Sequence, residues 1–195
     1  TNGSLENVIN QIKKGQPPTN WNNTKVLINI YGIAAAMSHL HSCGIIHRDL
    51  KPGNILEDEN FYPKVSDFVL QKISYSIHHS LSYGTPLYMA PEIIDETDKT
   101  DNLYKSDVYS FGITVFLLMG GEIKAKNQFN FFTDILKGIR PQFNQQIQKS
   151  YRELIDLCWN NDPEKRPSFD EIVLRLTTDP GFITDEIDVD EFENY

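Results

Sequence analysis

The chain has 195 residues, of which 39% are apolar and 23% are charged, and these proportions are typical of a globular protein. The longest apolar run, Phe111 to Met119, is too short to cross a bilayer, so no membrane partner is expected. The net charge of −9 comes mainly from residues 179–195, which contain seven acidic and no basic side chains. The remainder lacks the basic surface of a nucleic-acid-binding protein, so no nucleic acid is expected either.

The cysteine content indicates the cellular compartment, and the distribution of charge divides the chain into a domain and a tail. Cys43 and Cys158 are too few for a disulfide framework and indicate a reducing compartment, so we expect a cytoplasmic protein. Residues 1–178 are predicted to form one domain, followed by a solvated acidic tail at 179–195, with a docking role for the tail as the less favoured alternative. The oligomeric state is left open. Because the chain starts at Thr1 without a signal peptide, we expect a fragment or a processed piece.

The first third of the chain predicts two helices. Ser4 can cap a short helix that Gly15 ends. A long helix is predicted from about Thr24 to His41, because apolar residues recur there with helical spacing. The apolar stripe is wide, so this helix should be buried on more than one side.

Between residues 45 and 67 the spacing of the apolar residues changes from a helical pattern to a strand-like one. Short strands are predicted at 45–47, 55–56 and 63–66, with residues 58–60 as the turn between the last two. Residues 68–92 show little periodicity, and a stretch of that length inside a compact domain is usually functional or mobile.

The remaining chain predicts further helices. The most hydrophobic runs from Asp107 to Met119, with Ser106 as its cap, and another covers Phe129 to Lys137. Two capping boxes, at 150–153 and 168–171, predict the starts of two more. The fold class is therefore mainly α (α+β), with a small β-hairpin patch.

A dense polar cluster lies between residues 47 and 67. The predicted hairpin brings Asn54 beside Asp67, and an amide facing a carboxylate can hold a magnesium ion. Asp49 lies on the preceding loop, where it can accept a hydroxyl proton, while the Lys51 ammonium can balance phosphate charge. A proton acceptor, an ammonium group and metal ligands are the groups that in-line phosphoryl transfer requires.

The cluster belongs to a motif that resembles the catalytic loop of protein kinases, His47-Arg48-Asp49-Leu50-Lys51-Pro52-Gly53-Asn54. Further motifs follow in the family's order: Asp67-Phe68-Val69 in place of Asp-Phe-Gly, Met89-Ala90-Pro91-Glu92, Ser106-Asp107-Val108-Tyr109-Ser110-Phe111-Gly112 and Asp162-Pro163-Glu164-Lys165-Arg166-Pro167-Ser168-Phe169. The match covers about residues 3–177 and is similar to the tyrosine-kinase-like branch of serine/threonine kinases. It implies a kinase large lobe (C-lobe) that uses ATP and Mg²⁺ and acts on protein substrates.

The resemblance implies a catalytic role for four residues. Asp49 would orient the substrate hydroxyl and accept its proton, and Lys51 would contact the transferred phosphate. Asn54 and Asp67 would coordinate magnesium, and Leu56 would lie under the adenine ring. Serine or threonine substrates are favoured over tyrosine by Lys51, Gly53 and Thr85, and the Thr85 hydroxyl is expected to bond to Asp49 and Lys51.

Other matched residues are implied to be structural. His47 and Phe68 would stack into the internal spine anchored by Asp107, and His47 is interpreted as a packed residue rather than a base. Glu92 and Arg166 would form a buried ion pair that fixes the activation segment. The histidines and cysteines show no zinc-ligand grouping.

Residues 70–84 of the activation segment, which ends at Glu92, have two interpretations of equal weight. A phosphate on one of its hydroxyls would pair with Arg48 and order the loop. The alternative is a polar, solvated loop. The candidate serines are Ser74, Ser76, Ser80 and Ser82.

Two departures from the family pattern matter. No Gly-x-Gly-x-x-Gly loop or strand lysine is present, so the small lobe (N-lobe) is expected to be absent and this chain inactive alone. Val69 replaces a glycine, and a stiff β-branched residue restricts the loop. The alternative function is therefore a catalytically impaired, pseudokinase-like interaction module.

Overall fold

The computed structural model describes residues 2–67, 85–95, 103–124, 128–143 and 146–195. The described helices are α1 Leu5–Lys13, α2 Asn23–Ser42, α3 Pro91–Ile94, α4 Leu103–Leu118, α5 Gln128–Leu136, α6 Lys149–Cys158, α7 Phe169–Thr178 and α8 Val189–Glu193. The described strands are β1 Ile55–Glu57 and β2 Pro63–Val65. Within these ranges no helix is both long and apolar enough to cross a membrane. The predicted mainly helical fold with one small hairpin is confirmed.

Helix α1 begins where the sequence predicted. The Ser4 hydroxyl accepts a hydrogen bond from the backbone N–H of Asn7, and the Asn7 side chain bonds back to the Ser4 backbone. This reciprocal cap satisfies donors that the first turn leaves open. Gly15 follows the helix with φ +70°, a conformation that glycine adopts without a steric penalty.

Helix α2 is the central helix, and it is buried on more than one side as predicted. Its residues contact α7, β2, α4 and α8. Asn22 caps it by accepting a hydrogen bond from the backbone of Lys25. Because α2 is covered from several directions, even the polar Asn29 on it is fully buried.

Helix α4 begins earlier than predicted. It starts at Leu103, so Ser106 lies inside the helix and the prediction of Ser106 as its cap is wrong. The Ser106 hydroxyl instead donates to the carbonyl of Leu103. Gly112 lies against α6, where an added Cβ would be 2.8 Å from the Cβ of Cys158. The close packing of α4 on α6 therefore requires a glycine at position 112, because any larger residue would clash with Cys158.

The two predicted capping boxes have different outcomes. At Ser168, the hydroxyl accepts from the Glu171 backbone and the Glu171 carboxylate accepts from the Ser168 backbone, so the box that starts α7 is confirmed. The prediction of a capping box at Ser150 is wrong, because α6 already begins at Lys149 and Ser150 lies inside the helix. The motif alone does not fix the register when the neighbouring residues also favour the helix.

The hairpin has the predicted strands and turn. Ile55 pairs with Val65 and Glu57 with Pro63 in antiparallel register. Asp58 shapes the turn, because its carboxylate accepts from the backbone N–H groups of Asn60 and Tyr62. The predicted strand at 45–47 is wrong: the His47 N–H donates to the Asp107 carboxylate rather than to a neighbouring strand.

The prediction of a solvated acidic tail is also wrong. Phe182 is fully buried and Ile187 nearly so. Helix α8 contacts α2, where the Asp188 N–H donates to the Thr24 hydroxyl at 2.9 Å and Glu191 forms an ion pair with Lys25. The tail is acidic in composition, but its apolar residues pack against the domain.

Candidate active site

A buried aspartate on α4 fixes the start of the loop at 47–54. The Asp107 carboxylate accepts from the backbone N–H groups of His47 at 2.8 Å and Arg48 at 2.9 Å. The ring of His41, on α2, lies 2.9 Å from the same carboxylate. Asp107 is only 1% exposed, so these bonds are shielded from water and hold the loop against α4 and α2.

His47 is packed and hydrogen-bonded, as the sequence predicted. It is fully buried, and its Nε2 lies 3.0 Å from the carbonyl oxygen of Ser66. The bond joins the loop to the end of β2. His47 is thereby a connection between the loop and the hairpin.

The central cluster joins Asp49, Lys51 and Thr85. The Lys51 ammonium lies 2.7 Å from Asp49 Oδ2 and 2.6 Å from the Thr85 hydroxyl. Thr85 donates both its backbone N–H and its hydroxyl to Asp49 Oδ1, each at 2.9 Å. The predicted contacts of Thr85 are confirmed. Both carboxylate oxygens of Asp49 are held by these contacts, so its orientation is fixed.

The same contacts set the charge of Asp49. Partial burial alone would raise its pKa, but hydrogen bonds from Lys51, Thr85 and Asn54, with the positive charge of Lys51, lower the pKa below its ordinary value. Asp49 is therefore ionised at neutral pH. An ionised, oriented carboxylate suits the acceptance of a hydrogen bond from a hydroxyl group.

Asn54 is joined directly to Asp49, and Asp67 is joined to Asn54 through Ser66. The Asn54 amide nitrogen donates to Asp49 Oδ2 at 2.9 Å and to the Asp49 carbonyl at 2.8 Å. Ser66 donates its backbone N–H to the Asn54 carbonyl at 2.9 Å, and its hydroxyl is 3.2 Å from Asp67 Oδ2. The hairpin thus brings the predicted residues to one end, with Asp67 at the exposed margin.

Two residues of this region have the left-handed backbone conformation. Arg48 has φ +68° and Asp67 has φ +60°. Residues other than glycine rarely adopt such angles, and those that do concentrate at functional sites. The network of Asp107 holds Arg48 in this conformation by bonding its N–H.

The residues also fit the cation that the family resemblance implies. Asn54 uses its amide nitrogen toward Asp49, which leaves its carbonyl oxygen as the atom to offer a cation, and Asp67 offers a carboxylate. Among the described residues no group of three or more acidic, histidine or cysteine side chains forms a metal cluster. Mg²⁺ is commonly held by one or two protein oxygens together with substrate phosphates, so this donor set is sufficient.

A second, buried pair lies away from this cluster. The Arg166 guanidinium binds Glu92 through two nitrogens, at 2.6 and 2.8 Å, as the sequence predicted. Arg166 also donates to the carbonyls of Lys105 and Asn160. The pair connects α3, which follows Thr85 closely, to the segment before α7.

Some predicted site residues stay outside this geometry. Leu56 lies on β1 with 43% of its surface exposed, and its role beside adenine stays a prediction. The remaining predictions fall outside the described residues: Phe68, Val69, Ser74, Ser76, Ser80 and Ser82. Sequence reasoning missed His41 and Ser66, which carry no motif signal of their own and are recognised only by their bonds to Asp107 and Asn54.

Comparison with known proteins places this arrangement in a family. The family model of the protein kinase domain matches residues 1–175. A probable serine/threonine-protein kinase of Dictyostelium discoideum is 35% identical over 157 residues, which are 79% of this chain and 11% of that protein. A protein kinase and PP2C-like domain-containing protein of Arabidopsis thaliana is 33% identical over 190 residues, covering 78% of this chain and 28% of that protein.

A probable LIM domain-containing serine/threonine-protein kinase of Dictyostelium discoideum is 38% identical over 143 residues, or 72% of this chain and 14% of that protein. The chain therefore spans between 11% and 28% of the length of these relatives. The ordered motifs, the Asp49 cluster and the match over residues 1–175 lead to one conclusion: the chain belongs to the protein kinase family.

Proposed function

We propose that this chain is the large lobe of an ATP-dependent serine/threonine protein kinase. The observation that carries the proposal is the contact of Lys51 with both Asp49 and Thr85. A carboxylate that receives a substrate hydroxyl and an ammonium that faces phosphate charge are the two groups this transfer requires. Here they lie 2.7 Å apart on a loop held by Asp107.

The reaction transfers the terminal phosphoryl group of ATP to a hydroxyl. The hydroxyl oxygen forms the new bond to phosphorus, the bond from phosphorus to the bridging oxygen breaks, and ADP leaves. Asp49 holds the hydroxyl and accepts its proton. The Lys51 ammonium balances the negative charge of the phosphoryl group as it approaches Asp49. Asn54 and Asp67 would hold Mg²⁺, which neutralises phosphate charge when bound.

Three features support serine or threonine as the acceptor. Lys51 and Gly53 match the serine/threonine pattern of the loop, and Thr85 makes the contacts with Asp49 and Lys51 that the pattern implies. The two Dictyostelium discoideum relatives also carry serine/threonine-kinase names. Membership of the tyrosine-kinase-like branch, protein substrates and a cytoplasmic location belong to the same proposal.

The chain by itself is proposed to be inactive. It contains no Gly-x-Gly-x-x-Gly loop to cover the phosphates. The test is a radiolabelled-ATP assay on a mixed-peptide substrate, using this chain alone and this chain fused behind the small lobe of a related serine/threonine kinase. We expect phosphate transfer only from the fusion, and its loss in the Asp49→Asn fusion. Equal transfer by the Asp49→Asn fusion would contradict the proposal.

A second function is favoured by one observation, the valine at position 69 where the family has glycine. A stiffer loop favours a kinase-like module that binds partners without transferring phosphate. The Val69→Gly fusion distinguishes the two. If the module is non-catalytic because of Val69, only the glycine variant will transfer phosphate; if the first proposal holds, both fusions will.

A further inference from the structure

A carboxyl group in the hairpin lies buried without a partner. Glu57, the last residue of β1, is fully buried, and neither of its carboxyl oxygens has a hydrogen-bond partner within the described residues. A buried ionised carboxylate without a partner is strongly unfavourable. The same carboxyl as a neutral acid has an O–H donor and needs only one acceptor.

An unused acceptor of that kind lies on α2. Asn29 is also fully buried, and its amide nitrogen donates to the carbonyls of Lys25 and Phe61, both at 3.0 Å. Its carbonyl oxygen has no partner among the described residues. Burial raises the pKa of the Glu57 carboxyl, and an interaction with the Asn29 side chain lowers this pKa, which partly offsets the effect of burial. Because both N–H bonds of Asn29 are already given to backbone carbonyls, its carbonyl oxygen is the atom left to accept a hydrogen bond from a protonated Glu57. One proton on Glu57 would therefore satisfy two unpartnered groups at once.

The charged groups around Glu57 do not neutralise it. Its neighbour Asp58 is another carboxylate, and Lys64 lies 3.7 Å from Asp58. On α2, Lys25 is paired with Glu191 of α8 and lies over the ring of Tyr62. From the C-terminal end the group facing Glu57 is the phenol of Tyr195, whose own pKa is raised to about 12, chiefly by burial.

We propose that Glu57 is a neutral carboxylic acid in the folded protein, and that its hydroxyl donates to the carbonyl oxygen of Asn29 and clamps the hairpin onto α2. Loss of the proton leaves a buried carboxylate facing an amide oxygen, so the clamp opens. The hairpin begins directly after Asn54 and ends two residues before Asp67. The clamp would therefore act on the hairpin that positions Asn54 and Asp67.

The direction of the pH effect follows from burial. Burial raises the pKa of Glu57 from 4.5 to about 7; the interaction with Asn29 lowers it in part, and Asp58 adds a smaller increase. The folded chain therefore holds a proton that the unfolded chain has released. Stability falls as pH rises from about 4.5 to about 7, and above that range the folded protein carries the ionised group.

The first experiment compares Glu57→Gln with wild type in the 195-residue chain. Glutamine keeps the shape and donates to Asn29 at every pH. Glu59→Gln is the matched control, because Glu59 is an exposed carboxylate in the turn that follows Glu57. Urea unfolding is followed between pH 5 and 8, with amide hydrogen exchange of the hairpin and α2.

We expect the ratio of folded to unfolded wild-type chain to fall by roughly tenfold or more between pH 5 and 7 relative to Glu57→Gln. The Glu59→Gln control should follow wild type. Hairpin amides should also lose protection above neutral pH in wild type and in the Glu59→Gln control, but not in Glu57→Gln. The same pH dependence in Glu57→Gln and wild type would overturn the proposal.

A second measurement keeps the proposal testable if Glu57→Gln fails to fold. The side-chain carboxyl carbons of wild-type chain labelled with ¹³C at glutamate are titrated by NMR. One carboxyl ionising near neutral pH supports the clamp. All glutamates ionising near their ordinary value would refute it. Neither readout requires kinase activity, so this inference and the proposed function can fail separately.

Discussion

The guanidinium of Arg166 and the carboxylate of Glu92 form a two-bond ion pair that is almost completely withdrawn from water. The Arg166 side chain is 0% exposed and that of Glu92 is 7% exposed. A ring from α4 covers the pair, since the Arg166 guanidinium carbon lies 5.1 Å from the centre of the Tyr109 ring. The pair therefore fixes the chain after Thr85 to the segment that leads into α7.

Replacing Arg166 should strongly destabilise the fold. Arg166→Met leaves the Glu92 carboxylate buried without its partner, and this loss costs about 3–5 kcal/mol. Urea unfolding at neutral pH measures the change. Lys149→Met is the control, because Lys149 is 89% exposed beside Glu153 and such pairs contribute less than about 1 kcal/mol. Equal effects of the two substitutions would show that the buried pair has no structural role.

Asp107→Asn should loosen the catalytic loop. An amide offers one acceptor oxygen, so one of the N–H groups of His47 and Arg48 loses its partner. A buried unpaired donor costs about 1–3 kcal/mol. The measurements are the free energy of unfolding and the amide exchange rates of His47 and Arg48. The exposed Asp185→Asn is the control, and unchanged exchange in Asp107→Asn would contradict the assignment.

Thr85→Val should raise the pKa of Asp49. The substitution removes the hydroxyl that donates to Asp49 Oδ1, one of the bonds that lower this pKa, and leaves the Lys51 contact in place. The carboxyl is followed by ¹³C NMR titration. Thr85→Ser, which keeps the hydroxyl, should behave like wild type. An identical Asp49 titration in the valine variant would show that Thr85 does not act on this group.

The same substitution has a consequence for acid stability. The folded-state pKa of Asp49 lies below the ordinary value of 3.8, so its contribution to stability is present above that value and is lost as pH falls through the folded-state pKa. Thr85→Val brings the folded-state pKa of Asp49 closer to its ordinary value. The stability that the protein loses on acidification should therefore be smaller in the variant than in wild type. Unfolding of both chains between neutral and acidic pH measures the difference.

Phe182→Ala should destabilise the whole domain, although residue 182 lies in the acidic segment. Phe182 is fully buried, with its ring centre 5.0 Å from that of Tyr151. Removing a buried phenylalanine costs about 3–5 kcal/mol. Leu174→Ala is the control, because Leu174 is 62% exposed and surface changes stay within about 0.5 kcal/mol. A change as small as that of the control would restore the picture of a detached tail.

The sequence predicted the helices and the hairpin because these depend on local pattern. The helical spacing of apolar residues located α2, and the turn residues at 58–60 located the hairpin. It misplaced the starts of α4 and α6, since Ser106 and Ser150 both stand where a longer helix can continue through them. It also placed a strand at 45–47, where the backbone bonds to Asp107 instead.

By itself, the sequence determined the family and the identity of the chemical groups, because ordered motifs specify which side chains are present and how far apart they lie along the chain. Only the tertiary structure decided which of those groups meet: Ser66 beside Asn54, and the acidic segment packed on α2. It also revealed that Glu57 and Asn29 are both fully buried, with side-chain oxygens that have no partner within the described residues. Such contacts join residues distant along the chain, and their strength depends on burial, which no local pattern specifies.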